Sequence, residues 1–274
     1  MKVPKSICVK RCHGLGNVIL LLPVLDCFHS NGSHVCLITR KEWVEAFSVL
    51  RPNFEITAQM NAQAIDLDEM TLEVSPSQHR IDEFAQLLGL NSKVVPASVE
   101  VPSDWSLPFK HLTGCIILAP EAAHPSRRWP IDYCCQVKEL FPEDKLVLVG
   151  TDRKDSIPCD VDLRGQLDLG ELFGVISVSK VVITMDSAIL HIASLLKKTT
   201  VAIFGGVDVR HRILNDHAVV AIQSKMACCP CNKNEICEGR YDCIKAIKPE
   251  HVSKAVQLAS HTDKSLIFFD CVGA

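Results

Sequence analysis

The sequence predicts an α/β protein made of two Rossmann-like halves, and three observations carry that reading. Short apolar runs alternate with amphipathic stretches of helical length, the pattern of parallel strands covered by helices on both faces. Residues 181–204, VVITMDSAILHIASLLKKTTVAIF, read as a complete βαβ unit, with a turn at Asp186-Ser187 and a helix carrying Ile189, Ile192, Ala193 and Leu196 on one face. Between 94 and 110 the chain carries Pro96, Pro102 and Pro108 with little helical periodicity, which suits an extended connection between two domains.

Taken in order, 6–10 is a short buried strand. His13-Gly14-Leu15-Gly16-Asn17 is a glycine-rich turn into a helix bearing Ile19, Leu22, Leu25 and Phe28. Gly14 and Gly16 allow a backbone to approach a ligand closely, although a G-x-G pattern serves a plain strand-to-helix turn equally well. Strands follow at 35–39 and 54–57, and helices at 41–50 and 78–90, the last with Ile81, Phe84, Leu87 and Leu88 on one face. The second series runs through a strand at 115–119, a helix at 131–140, strands at 146–149 and 162–164, a helix at 169–177 and then the βαβ unit. These signals predict domains at 1–108 and 109–260 and a C-terminal tail at 261–274.

The turn of the βαβ unit places Asp186 and Ser187 at the carboxyl end of a strand, where the first N–H groups of a helix favour an anion such as phosphate. Either residue could instead cap that helix. His191, one turn further on, is by its residue type a buried histidine with a hydrogen-bond partner.

Composition narrows the partners. With 47% hydrophobic and 22% charged residues and a formal net charge of -3, the chain is an ordinary globular protein without the basic surface of a duplex binder. No stretch approaches the roughly 20 apolar residues that span a bilayer. The basic N-terminus is broken by His13, Gly14, Gly16 and Asn17 before a signal-peptide core can form. A cytoplasmic location is expected, and most of the 14 cysteines, such as Cys8, Cys36 and Cys115, sit singly in apolar runs as small core residues.

One group of cysteines is different. Cys228, Cys231, Cys237 and Cys243 follow a C-x2-C-x5-C-x5-C spacing among Asn, Lys, Glu, Gly and Asp residues that offer no core. Four thiolates in a hydrophilic loop suit a closed, structural metal site, with zinc expected and iron as the alternative. Unligated thiols are the competing reading.

Several pieces together resemble glycosyltransferase family 9, the ADP-heptose:lipopolysaccharide heptosyltransferases and their relatives. They are KRCHGLGNVILLLPVL at 10–25 and, within 115–252, CIILAPEAAHPSRRWP, LVLVG, VDLRG, MDSAILHIAS, TVAIFGG and CCPCNKNEICEGRYDCIKAIKPEHV. The resemblance implies a GT-B fold, two Rossmann-like domains with parallel sheets facing a central cleft. It also implies inverting transfer of a heptose-like sugar from an ADP-type donor to an acceptor hydroxyl without a catalytic metal. The N-terminal domain takes the acceptor side, whether glycan, lipid-linked sugar or protein, and a homo-oligomer is possible.

Carried over by position, Arg127 precedes the family's Trp-Pro pair, here Trp129-Pro130, and contacts donor phosphate or sugar, with Arg128 beside it. Asp186, Ser187 and His191 fall on the family's D-[ST]-G-x-x-H signature for the diphosphate. Ala188 replaces its glycine and puts a methyl group where phosphates come closest. Asn17 stands where the family's turn carries the aspartate proposed as general base, and an amide cannot take that proton. His13 on the same turn is the substitute base. The alternatives are a nucleotide-sugar-binding protein that lost its base, or a metal-stapled scaffold.

Overall fold

Alternating Ile and Val in Ser-Ile-Cys-Val-Lys make β1 (Ser6–Lys10) a strand with Ile7 and Val9 buried. The computed structural model describes residues 4–71, 78–91, 94, 98–213, 219–231 and 237–261, and the backbone of 266–271. The chain forms two compact units that divide between Glu100 and Val101.

In the first unit β1 is followed by α1 (Leu15–Ser30), β2 (His34–Ile38), α2 (Lys41–Leu50), β3 (Glu55–Thr57), β4 (Ile65–Asp66), α3 (Leu67–Met70) and α4 (Arg80–Leu87). All strand pairs are parallel, in the order β3-β2-β1-β4. Helix α1 is apolar nearly all round, because Val18 through Leu25 are buried. Strand β4, two residues at the sheet edge, has no sequence signal of its own.

The second unit contains α5 (Ser103–Ser106), β5 (Ile116–Ala119), α6 (Ile131–Cys135), α7 (Val137–Leu140), β6 (Leu146–Leu148), β7 (Val161–Asp162), α8 (Leu169–Val178), β8 (Val181–Met185), α9 (Ala188–Leu195), β9 (Thr200–Phe204), β10 (Val219–Ser224), α10 (Asp242–Lys245), α11 (Pro249–Ser260) and β11 (Leu266–Cys271). Its parallel sheet has the order β11-β10-β9-β8-β5-β6-β7. Strands β8 and β9 are buried at every residue, which explains their uninterrupted apolar runs. Asp168 and Glu171 form a reciprocal capping box at the start of α8.

Three expectations about organisation change. The boundary falls before Pro108, because Trp105 of α5 packs on Phe173 of α8 with ring centroids 6.3 Å apart, tying the proline-spaced stretch to the second unit. The helix expected at 131–140 is two short helices meeting at Gln136. The expected tail includes β11, which pairs in register with β10.

Candidate functional site

In the first unit, β1 delivers the glycine turn at the carboxyl end of its sheet. Arg11 N–H donates to Ile38 O at 2.9 Å, and the buried Arg11 side chain donates through Nη1 to Leu67 O and Thr71 Oγ1, both at 2.6 Å. Burial pulls the Arg11 guanidinium below its ordinary pKa, and the carboxylate of Asp68 opposes that shift. Asp68 is itself buried and accepts the backbone N–H of Cys12 at 2.9 Å and of His13 at 3.0 Å. Gly14 has φ +76°, a left-handed conformation that side chains resist, and its carbonyl accepts the N–H of Asn17 at 2.9 Å. Gly16 lies inside the first turn of α1.

The imidazole of His13 is 75% exposed, with Nδ1 3.7 Å from Asp68 Oδ1, so it is open to an incoming group. Asn17 is turned back on the loop: its amide Nδ2 donates to His13 O at 3.4 Å. Asp68 was absent from the sequence expectations. It lies 55 residues from His13, in a segment with no motif, and only folding brings the two together.

In the second unit, neighbouring strands β5, β8 and β9 bring their loops to one edge of the sheet, the carboxyl edge at which α/β folds bind ligands. Asp186 follows β8 and is 2% exposed. Arg127 Nη1 donates to Asp186 O at 3.0 Å and lies 3.2 Å from Asp186 Oδ2, while its Nε is buried and has no hydrogen-bond partner among the described residues. Ser187 occupies the N-cap position of α9 but its side chain makes no cap bond, its hydroxyl lying instead 3.2 Å from Thr184 Oγ1. Among the described residues, the first N–H groups of α9 are therefore left without a side-chain acceptor. Ala188 is half-buried at the first position of the helix, and His191 is buried within it.

Arg128 points elsewhere: Nε donates to Ala122 O at 2.8 Å and Nη2 to Ala123 O at 3.4 Å, bracing its own loop. Trp129 is buried and donates its indole N–H to Ile247 O at 2.7 Å. The loop also needs Gly205, because a Cβ there would lie 1.9 Å from Ser126 O. A further carboxylate missed in the sequence is Glu121, which accepts the N–H groups of Thr151 and Asp152 at 2.9 and 2.7 Å.

Cys228, Cys231, Cys237 and Cys243 line one cavity of about 160 Å³, together with Tyr241 and Gly206. In donor type they fit a soft metal ion. Among the described residues no three His, Cys, Asp or Glu side chains are gathered as metal ligands, so the structure lends the expected zinc no support. Cys229, expected outside the set, donates to Gly205 O at 3.2 Å and pairs with Cys243. That pairing lowers the Cys243 thiol to about 7 and raises Cys229.

Residues 61–242 match the family model of glycosyltransferase family 9 (heptosyltransferase). The chain belongs to this family. By sequence, no curated protein matches this family 9 chain. Similar solved structures include a family 9 glycosyl transferase from Veillonella parvula DSM 2008, 17% identical with TM-score 0.72, over 93% of this chain and 97% of that one. ADP-heptose lps heptosyltransferase II of E. coli is 13% identical with TM-score 0.72, over 93% and 98%. The iron-containing dodecameric glycosyltransferase TibC from enterotoxigenic E. coli H10407 is 12% identical with TM-score 0.76, over 95% and 77%. At these identities the likeness establishes the GT-B-like α/β fold with two parallel sheets. No helix among the described residues is long and apolar enough to cross a membrane.

Proposed function

We propose that this family 9 chain is an inverting glycosyltransferase that takes a heptose-like sugar from an ADP-type donor. The observation that carries the reading is the start of α9: among the described residues its N–H groups lack a side-chain cap, at the carboxyl end of a central strand whose following residue, Asp186, is bonded by Arg127. Those donors suit a diphosphate. Two similar structures support the donor class, since TibC was solved with ADP-D-β-D-heptose and the other is the E. coli ADP-heptose lps heptosyltransferase II.

In the proposed reaction an acceptor hydroxyl attacks the anomeric carbon, the C–O bond to the diphosphate breaks, and ADP leaves with the electron pair. The helix start and Arg127 stabilise the developing charge, with Asp186 holding Arg127 in place. His13, exposed and free of an intrachain hydrogen bond through its ring among the described contacts, takes the acceptor proton. Asn17 keeps the turn in shape through its bond to His13 O. That same bond favours a second reading, in which Asn17 retains only a structural role and the chain binds nucleotide sugar without transferring it.

The reading also includes a structural metal on the four-cysteine loop, iron in preference to zinc because TibC is described as iron-containing. A homo-oligomer is proposed by the same likeness, TibC being dodecameric, and a cytoplasmic location is part of the same reading. The deciding experiment is a transfer and hydrolysis screen of the purified protein with ADP-heptose and other nucleotide sugars, alongside calorimetry with ADP. Absence of ADP binding overturns the donor site, and binding without transfer selects the second reading.

A further inference from the structure

Strands β1 and β2 are in-register parallel neighbours, and the register sets Cys8 directly opposite Cys36. Side chains at paired positions leave a sheet on the same face, and neighbouring strands lie about 4.8 Å apart, within the Cα separation of roughly 4.4–6.8 Å that disulfides require. The two sulfurs are 2.9 Å apart, one thiol hydrogen-bonded to the other. A disulfide needs about 2.05 Å. Closing the gap takes less than an ångström of side-chain movement and leaves the strand pairing in place.

We propose that Cys8 and Cys36 form a reversible dithiol–disulfide site in the first unit, oxidised by exchange with a low-molecular-weight disulfide. The pair is asymmetric, as such exchange requires. Cys8 is half-buried and reachable, with Asn61 Nδ2 at 4.0 Å from its sulfur, whereas Cys36 is 8% exposed. Burial, followed by the neighbouring thiol, pushes Cys36 up to about 12, so Cys8 is the attacking sulfur and Cys36 the resolving one.

Cys8 gives its proton to solvent and its thiolate attacks one sulfur of the small disulfide, whose other half leaves as a thiolate with the bonding pair. That thiolate takes the Cys36 proton. The Cys36 sulfur then attacks Cys8 Sγ and expels the second small thiolate, which is protonated by solvent. Two protein thiols are oxidised and one small disulfide is reduced to two thiols. The new bond closes a loop between residues 28 apart that holds α1 and the glycine turn.

The test uses the whole folded protein with oxidised glutathione, followed by trapping with N-ethylmaleimide and peptide mapping. The expected result is loss of alkylation at both Cys8 and Cys36, a cross-linked peptide two hydrogens lighter than the dithiol pair, and full reversal by dithiothreitol. Cys36→Ser should instead accumulate glutathione on Cys8. The inference is overturned if both cysteines stay alkylated at every ratio of oxidised to reduced glutathione. It is equally overturned if wild-type Cys8 keeps glutathione, or if Cys8 cross-links to a different cysteine. The wild-type map decides the matter without the variant.

Discussion

The Asp68 carboxylate accepts the backbone N–H of His13 at 3.0 Å and stands 3.7 Å from the imidazole of the same residue. One buried side chain therefore shapes the turn and borders the ring proposed as base. Asp68→Ala leaves two backbone donors unpaired and removes the carboxylate 3.4 Å from buried Arg11. Urea unfolding is expected to show a loss of about 2–4 kcal/mol, the scale of stranded buried donors and a broken buried ion pair. A loss below about 0.5 kcal/mol, typical of a plain surface change, refutes this account of the turn.

His13→Ala should lower transfer by about 10²- to 10⁴-fold with ADP affinity nearly unchanged, the signature of a lost general base. If the wild type binds ADP but does not transfer, Asn17→Asp should restore measurable turnover. Full-rate transfer by the His13→Ala variant rules out the substitute base.

Arg127→Ala should weaken ADP binding by roughly 1.5–3 kcal/mol in calorimetry, the usual worth of a charge-assisted hydrogen bond. Because Asp186 is left buried beside it, the melting temperature should fall as well. Arg128→Ala should disturb ADP affinity less, since its guanidinium is occupied by the carbonyls of Ala122 and Ala123. Equal affinity in the wild type and the Arg127 variant contradicts the donor-site assignment.

Elemental analysis after chelator-free purification should find about one metal ion per chain, iron above zinc. Cys231→Ser should abolish it, and Cys229→Ser should leave it in place. A fully folded metal-free protein defeats the proposal.

Asp162 is held below its ordinary pKa first by hydrogen bonds from Arg164, whose guanidinium lies 2.9–3.0 Å from both carboxylate oxygens. The folded value is lower than the unfolded one, so the stabilisation is complete above the unfolded carboxylate range near pH 3.9 and is lost as pH falls through the folded value. Thermal melts of wild type and Asp162→Asn should differ most near neutral pH and converge under acid. A gap that is constant from pH 7 to pH 2 shows that Asp162 contributes nothing through its charge.

Local pattern made much of this legible. β1 and α2 fall on their expected residues, because Ile7 and Val9 alternate cleanly and Ala46, Phe47 and Leu50 sit at helical spacing. β8 and α9 were readable because both are buried and bounded by Asp186-Ser187. What escaped depends on distant partners. Asp68 acquires its role from residues 55 and 56 positions away, β4 exists only because β1 lies beside it, and α5 joined the second unit through Trp105 and Phe173. The spacing of the four cysteines indicated a shared neighbourhood, yet spacing alone says nothing of sulfur convergence or of Cys229 pairing with Cys243.

The bond from the Trp129 indole to Ile247 O fastens the loop that carries Arg127 to a point 118 residues later in the chain. A minimal donor-binding fragment therefore cannot be cut at the end of the βαβ unit. Any recombinant piece that stops before Ile247 leaves an indole N–H without its acceptor and the arginine loop without its anchor, and an insertion tag placed between α10 and α11 loosens the same joint. Domain-exchange chimaeras of this chain should carry the loop at 120–130 and the segment at 242–260 from one parent.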